Sequence, residues 1–229
     1  MGHEHRSAEV VRFDSPPEAA IEDLCNWEQP PWSGVEPLDV ANVMGDRPDF
    51  VPATSAKLAW DNAAVYVIFH VEDQYVRAVA QKHQDSVCTD SCVEFFFCPG
   101  KDASSGYFNL EINCGGTILL NFQTVPRVDQ QPLPIEAIEQ IQVSRSLPAT
   151  VDPEITEPVI WTVECRLPYE ILKPHLAFDS PQAGDTWLGN LYKCGDKTSN
   201  PHWLTWSAID LPTPDFHVPD AFGTLGFTD

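Results

Sequence analysis

The chain has 229 residues, enough to bury a sizeable core as one large β domain or two small ones. Lys and Arg number 13 against 34 Asp and Glu, which gives a formal net charge of −21. A surface this negative repels phosphate and excludes nucleic acids and anionic membranes as favoured partners. The hydrophobic content of 43% with seven Trp excludes a disordered chain, and no apolar window of about 18 residues is present to span a membrane.

Proline and cysteine indicate the broad class of the protein. The 21 prolines are about 9% of the chain against a usual level of about 5%, which predicts a β protein with many loops. The seven cysteines have no C-x-x-C spacing, so zinc-ribbon and thioredoxin sites are not supported. We expect small buried hydrophobes in a reducing compartment, which favours a cytoplasmic location. The chain starts without a secretory signal, and removal of such a signal is the alternative.

The first elements follow a polar N-terminal stretch. Residues 1–22 are charged and predict a flexible arm ahead of a single domain at 23–229. The first clear strands are Ala56–Trp60 and Ala64–Val71, and Asp61-Asn62 supplies the turn that joins them.

The next strand, Ser91–Cys98, carries a carboxylate in an otherwise apolar run. Glu94 is the one charged residue of the segment SCVEFFFC. Burial of a carboxylate costs several kcal/mol unless it is paired or hydrogen-bonded. Glu94 therefore either meets a partner or points into a polar pocket.

Tyr107–Phe122 has the clearest hairpin pattern, with Gly115-Gly116 suited to a tight two-residue turn. The first arm alternates, so that one face is apolar and predicted to be core. The other face is a row of hydrogen-bonding side chains headed by an aromatic ring, namely Tyr107, Asn109, Glu111 and Asn113. This row indicates a binding site, and an exposed sheet face is the alternative.

The remaining segments are short and separated by Pro-rich loops. They are a helical turn near Glu136–Glu139, a strand through Val143, a strand at Val159–Leu167 with a short helix at Pro168–Leu172, and strands at Thr186–Cys194, Trp203–Ser207 and Phe222–Phe227. About nine or more strands with little helix predict an all-β fold, an antiparallel immunoglobulin-like β-sandwich with long Pro-rich loops and one short helix.

Signatures of common enzymes are absent from the sequence, which lacks G-x-S-x-G, a Walker loop, G-x-G-x-x-G and H-E-x-x-H. Two alternatives to a binding module stay open. A glycoside hydrolase or accessory factor acting on O-glycosyl bonds would use Glu94 and Glu111 as its carboxylate pair. A haem-binding electron-transfer domain would use Met44 and a histidine as ligands.

Sugar binding makes a different demand, namely flat aromatic rings with amide and carboxylate partners for hydroxyl groups. The polar row beginning at Tyr107 and Glu94 on the preceding strand supply such partners. The aromatic residues in loops and at strand ends are Tyr107, Tyr192, Trp203, Trp206 and Phe216. Two or three of these rings at one end of a sandwich would form a sugar platform.

Six motifs in order resemble the family-nine carbohydrate-binding modules, in particular a stand-alone branch with a DOMON-like β-sandwich. The segments that carry the resemblance are Ala56–Asn62 with Val65–Val67, Asp90–Phe96, Tyr107–Thr117, Trp161–Glu164 with Leu167-Pro168, Gly189–Asp196, and Asp215–His217 leading to Phe222-Gly223. The match covers about Trp27 to Phe227. It implies a β-sandwich that holds a mono- or oligosaccharide between aromatic rings, in a carbohydrate catabolic context.

The resemblance implies ligand-binding roles for particular residues. The sugar-pairing glutamate matches Glu94, the asparagine of the following strand matches Asn113, and the aromatic before the last F-G matches Phe216. We expect Asn109 to hydrogen-bond the sugar as well, and Glu111 and Tyr192 to line the pocket.

The sequence also departs from the family pattern. The second ring of the family site would fall near Cys88, a sugar-binding arginine is replaced by Glu111, and a glutamine is replaced by Tyr192. Tyr107 or Tyr192 would then supply the second ring. The resemblance further implies calcium, for which Asp73, Asp85 and Asp90 are loop carboxylates suited to oxygen coordination, and a glycoside hydrolase as partner.

Overall fold

The computed structural model describes residues 6–14 and 26–229. Its strands are β1 (Ser7–Arg12), β2 (Leu38–Asp39), β3 (Asn42–Val43), β4 (Ala53–Trp60), β5 (Ala64–Asp73), β6 (Val76–Ala78), β7 (Cys92–Cys98), β8 (Tyr107–Asn113), β9 (Ile118–Gln123), β10 (Gln131–Pro132), β11 (Gln142–Arg145), β12 (Val151–Ile155), β13 (Val159–Pro168), β14 (Thr186–Cys194), β15 (Trp203–Thr205) and β16 (Gly223–Thr228).

Helical structure in this described part is limited to single turns. One α-helix, α1, spans Ile135–Ile138, and the 3-10 turns are Trp32–Gly34, Val87–Thr89, Ala103–Ser105, Tyr169–Ile171 and Pro219–Ala221. The predicted helical turns near Glu136–Glu139 and Pro168–Leu172 are therefore confirmed. None of these helices is long or apolar enough to cross a membrane.

A single large sheet curls on itself and encloses the core. Fourteen strands join it, with the main path β10-β9-β8-β7-β14-β16-β1-β4-β5-β13-β11, while β6 and β12 form a separate pair. This architecture confirms the all-β sandwich. Its pairs are antiparallel except those of β1, which runs parallel to both β16 and β4.

The structure corrects the prediction of a flexible N-terminal arm. Ser7–Arg12 forms β1 and joins the two halves of the sheet, so this part of the predicted arm is not flexible. Its strand pattern is weak because Val10 is the one residue of β1 that is fully buried. The rest of the predicted arm at 1–5 and 15–22, and Cys25, lie outside the described residues.

Both predicted hairpins form, with one difference. In β4–β5 the Asp61 carboxylate accepts hydrogen bonds from the backbone N–H groups of Ala63 and Ala64 at 2.7 and 2.8 Å, which holds the turn. In β8–β9 the connection is longer than two residues, because β8 ends at Asn113 and β9 begins at Ile118. Gly116 takes a positive φ of 85° there, which favours glycine.

Strands β7 and β8 bury both of their faces. Alternate residues, including Phe95 and Leu110, enter the main core between the halves of the sandwich. The opposite face packs into a second apolar cluster that contains Phe96, Tyr107 and Phe216. The alternative of an exposed sheet face is wrong, because the segment before β16 covers it. This second face carries the polar row.

Five of the six described cysteines are buried and all six are free, which agrees with their interpretation as packing residues.

Candidate functional site

A cavity of about 250 Å³ lies on the second face of the sheet. Its floor comes from β7, β8, β9 and β14, and its rim from the segments after β9, after β14 and before β16. The polar lining includes Glu94, Glu111, Asn121, Arg127, Asp196 and Asp215. The aromatic lining includes Phe216 and Trp203.

Glu94 and Glu111 form an acidic pair at the floor of the cavity. They stand directly opposite each other in the β7–β8 register, and their exposed fractions are 3% and 7%. The Cys194 thiol donates to Glu94 Oε1 at 3.2 Å, and the Asn109 amide donates to Glu111 Oε1 at 3.0 Å. No donor from the described residues reaches Oε2 of either carboxyl group.

The environment of the acidic pair favours its protonated forms. Burial raises the pKa of Glu111 to about 7. Burial, followed by the neighbouring Glu111 charge, raises the pKa of Glu94 well above its usual range. Two carboxyl groups side by side in a low-dielectric site cannot both ionise cheaply. The pair is therefore a source of both hydrogen-bond donors and acceptors.

A chain of amides holds Glu111 in place. Asn109, which donates to Glu111, accepts in turn from Gln123 Nε2 at 2.8 Å. The same Gln123 nitrogen lies 3.2 Å from His217 Nδ1, and the Tyr107 hydroxyl lies 2.8 Å from that ring atom. Burial lowers the pKa of His217 to about 4, so its ring is neutral. Asn109 and Tyr107 thus support the site from behind the cavity wall.

The aromatic residues occupy two layers. Phe216 lines the cavity and stacks on Tyr192, with ring centroids 4.2 Å apart and planes 14° from parallel. Tyr192 and Tyr107 are both 0% exposed, so the expectation that either ring faces the pocket is wrong. They lie beneath it because each belongs to a strand whose second face is already covered. Trp203 is a further aromatic ring at the cavity, and its indole donates to Asp196 at 2.8 Å.

Of two other positions predicted to belong to the site, one lines the cavity and one does not. Cys88, where the family pattern has a ring, does line the cavity. Asn113 does not, because its amide donates to Asp90 Oδ2 at 2.9 Å and its oxygen accepts from the Thr117 N–H at 2.9 Å. Asn113, the last residue of β8, thereby holds the turn that follows the strand and does not line the cavity.

An ion pair closes one side of the rim. Arg127 Nε and Nη2 donate to Asp215 Oδ1 at 3.1 and 2.9 Å. The Asp215 carboxylate also accepts from the His217 N–H at 3.0 Å. Burial opposes ionisation of Asp215, but these hydrogen bonds outweigh it and lower its pKa. Asp215 therefore positions the segment that carries Phe216.

The three carboxylates expected to bind calcium do not form one site as they stand. Asp73 faces the Lys193 ammonium at 3.3 Å, and Asp90 faces the Arg77 guanidinium at 3.3 Å while also accepting two backbone N–H groups. Asp85 accepts from the Lys82 N–H. The oxygens of Asp73 and Asp90 are thus engaged by cations and amides, whereas calcium takes about six to eight oxygen ligands. The expectation of bound calcium stays a prediction for the protein.

One compact group of metal-ligating side chains occurs among residues 6–14 and 26–229. It consists of Cys92, Glu94 and Cys194, whose ligand atoms lie within 4.8 Å of one another. Two thiols do not suit calcium, which takes oxygen ligands. Burial raises the thiol pKa of Cys92, and the Cys92 hydrogen bond and burial raise that of Cys194, so both are neutral.

The geometry bears on the alternative functions. Glu94 and Glu111 are cross-strand neighbours on one wall of the cavity, whereas a glycoside hydrolase places its two carboxylates on either side of the scissile bond. Met44, the expected haem ligand, is 3% exposed and packs in the second apolar cluster.

Sequence reasoning missed several cavity residues. Arg127, Asp196 and Asp215 lie in loops. Gln123, which donates to Asn109 behind the cavity wall, lies at the end of β9, far along the chain from Glu94. Arg127 and Gln123 stand outside every recognisable motif. The available signal was that Asp196 and Asp215 stand within segments that carry the family resemblance.

Known proteins give a consistent comparison. The sequence profile of the family described as carbohydrate-binding family 9 matches residues 33–227. A candidate carbohydrate-binding protein from Bacteroides uniformis ATCC 8492 has a crystal structure that is 31% identical, with a TM-score of 0.83 over 98% of this chain and 100% of that chain. A search of curated proteins found no match.

Two further similar structures show a family 9 module from Caldicellulosiruptor kristjanssonii. Its complex with glucose has a TM-score of 0.63 over 97% of this chain and 96% of that chain, and its complex with cellotriose has 0.62 over 97% and 94%. Both are 14% identical to this chain, which supports the shared fold. The profile match over most of the sequence and the 31% identical structure show that this chain belongs to carbohydrate-binding family 9.

Proposed function

We propose that the cavity is the carbohydrate site and that it holds a mono- or oligosaccharide without chemical turnover. The observation that carries this proposal is the acidic pair, whose two Oε2 atoms have no donor among the described residues although both residues line the same cavity as Phe216. Sugar hydroxyl groups supply the missing hydrogen bonds, and the apolar face of a sugar ring stacks on an aromatic ring.

The size of the cavity favours a short ligand. Its volume of about 250 Å³ is slightly below the roughly 300–1,000 Å³ of pockets that take drug-sized molecules. One sugar ring fits this space better than an extended chain, so an oligosaccharide would enter by one terminal residue.

Phe216 and Trp203 supply the aromatic contacts in this proposal. Tyr192 stacks behind Phe216, and its hydroxyl donates to the Phe216 carbonyl at 3.1 Å, which fixes the ring. The Trp203 indole is fixed by its hydrogen bond to Asp196. Rings held in advance lose little conformational entropy on binding.

The sugar complexes of the Caldicellulosiruptor kristjanssonii module support a ligand built from glucose-type rings. A carbohydrate catabolic context, with a glycoside hydrolase as partner, is the wider role that family membership supports.

A glycan panel followed by isothermal titration tests the proposal. Xylo-, cello-, manno- and galacto-oligosaccharides with acidic and amino sugars are titrated first with calcium and then with EDTA. We expect saturable binding of one class. Loss of that binding in EDTA would support the calcium prediction, and unchanged binding would contradict a calcium requirement at the site.

Phe216→Ala is the decisive variant, because removal of a stacking ring should weaken binding at least tenfold. Phe178→Ala is the matched control, since Phe178 packs edge-on against Tyr169 and Trp187, away from the cavity. Both truncations lower stability by creating a void, but only the first should lower affinity. Full binding by Phe216→Ala, or a blank across the panel, would contradict the proposed function.

A further inference from the structure

We propose that the ligand of this cavity carries a protonated amine, so that the site selects amino sugars over neutral sugars. The inference rests on the proposed function. It is drawn from the charges of the cavity, whose lining holds four carboxyl groups and a single guanidinium. The carboxyl groups belong to Glu94, Glu111, Asp196 and Asp215, and the guanidinium belongs to Arg127.

The single cation is already engaged. Arg127 donates twice to Asp215 at the rim, which leaves three carboxyl groups of the lining without a cation in direct contact. Arg127, and Lys197 in the case of Asp196, act on them only from a distance. Within residues 6–14 and 26–229, no Lys or Arg nitrogen lies within 4.0 Å of Glu94, Glu111 or Asp196. The cavity is therefore a focus of negative potential, which raises the local concentration of cations.

The burial of the acidic pair makes this imbalance costly. Glu94 and Glu111 are almost fully buried, and an unpaired charge in such a place is strongly disfavoured by the loss of hydration. Without a ligand the pair reduces this cost by holding a proton, in agreement with the raised pKa values of both groups. A ligand that brings its own positive charge can take the place of that proton.

The hydrogen-bonding pattern fits an ammonium group. Each carboxyl group of the acidic pair has one oxygen occupied by a protein donor and one free. An ammonium group offers three donors and no acceptor, so it can bridge the two free oxygens, and the charge-assisted bonds are roughly twice as strong as neutral ones. A hydroxyl group offers one donor and no charge.

The test is a matched titration with glucose, glucosamine and N-acetylglucosamine, and with the corresponding galactose set. Within each set the sugars differ at one position, which carries a hydroxyl, an ammonium or an uncharged amide. We expect the amino sugar to bind about tenfold more tightly than its neutral parent, and the N-acetyl sugar to show no such gain. Titration in buffers of different ionisation enthalpy should show proton release for the amino sugar and none for the neutral sugar.

Glu111→Gln should bring the ratio of the two affinities close to one, because the uncharged amide keeps the shape and loses the charge. Glu72→Gln is the matched control, since Glu72 is an exposed strand glutamate on β5, and it should keep the wild-type ratio. Thermal unfolding confirms that each variant is folded.

The outcomes separate the two proposals. Equal affinity for glucose and glucosamine, or an unchanged ratio in Glu111→Gln, would overturn the amine preference and leave the carbohydrate site standing. Tighter binding of the neutral or N-acetyl sugar would also overturn it. Absence of binding by every sugar would overturn both proposals.

Discussion

Two buried charged sites lie on the opposite faces of β14 and differ in their charge balance. On the main-core face, the balanced pair consists of Lys193 and Asp73, whose side chains are 0% and 1% exposed and meet at 3.3 Å. His202 Nε2 lies 2.7 Å from the Lys193 nitrogen, and the Trp161 indole donates to Asp73. On the other face, Cys194 donates to the acidic pair, which faces a cavity whose one guanidinium, that of Arg127, is paired with Asp215.

The difference distinguishes charged groups that stabilise the fold from charged groups that are available to bind a ligand. The balanced pair holds one positive and one negative group, and burial with the nearby ammonium lowers the pKa of His202 to about 3, so the imidazole stays neutral. The hydrogen-bond capacity of this pair is used inside the protein. The acidic pair has the opposite character, with unused oxygens and unbalanced charge, and a ligand is the natural source of what it lacks.

Removal of charge from the two sites should therefore change stability with opposite signs. The largest effect is expected for Lys193→Met, which leaves the Asp73 carboxylate buried without its cation. Breaking a buried pair in this way costs about 3–5 kcal/mol. Urea unfolding monitored by tryptophan fluorescence measures the loss.

The double variant Asp73→Asn with Lys193→Met is the control for that measurement. It removes both charges, so it should regain part of the stability lost in the single variant, and the coupling energy follows from the cycle. Lys193→Met with the stability of the wild type would show that the pair carries no structural role.

Glu111→Gln should raise the free energy of unfolding at neutral pH and above, in contrast to Lys193→Met. Because the folded-state pKa of Glu111 is raised to about 7 from 4.5, the stability contributed by its protonated form is complete below pH 4.5 and is lost as the pH rises through about 7. Glutamine never ionises and still accepts from Asn109. The variant should exceed the wild type in stability by on the order of 3 kcal/mol above pH 7.

The control is the same comparison of Glu111→Gln with the wild type at low pH. The gain in stability should vanish as the pH falls below 4.5, where Glu111 is neutral in both the folded and the unfolded state. Thermal melts across this range test the sign. A destabilised Glu111→Gln at alkaline pH would mean that the carboxylate is stabilised in the folded protein, against the view of an unbalanced site.

The smallest effect is expected at the rim. The Arg127 and Asp215 side chains are 58% and 36% exposed, and such solvent-screened pairs contribute about 0–1 kcal/mol. Arg127→Gln should therefore leave the free energy of unfolding within about 1 kcal/mol of the wild type in the same urea assay. A loss comparable to that of Lys193→Met would place Arg127 among the structural charges.

Much of the fold could be predicted because the alternation of apolar and polar residues identifies the strands. The apolar residues of β8 enter the core as their spacing predicts, and β14 has the predicted bounds of Thr186 to Cys194. β1 was missed because parallel pairing to β4 and β16 depends on residues far along the chain, and Val10 alone is fully buried in it.

The site was less predictable than the fold. Glu94 could be predicted at the site because it is a charged residue in an apolar strand, and Phe216 because it lies in a family motif. The same reasoning could not distinguish the residues that line the cavity from those in the layer behind them. Asn109 and Tyr192 share a face with cavity residues, yet neighbouring side chains cover both. Arg127 and Asp196 enter from loops whose positions depend on tertiary packing.

The most direct test of the carbohydrate site follows the indole N–H signals of the seven tryptophans by NMR as a binding sugar is added. Trp203 donates to Asp196 at the cavity, whereas Trp161 donates to Asp73 of the balanced pair. Trp203→Phe and Trp161→Phe assign the two signals. The account predicts a saturable shift of the Trp203 signal with the Trp161 signal unmoved, and a shift of Trp161 with Trp203 unmoved would contradict it.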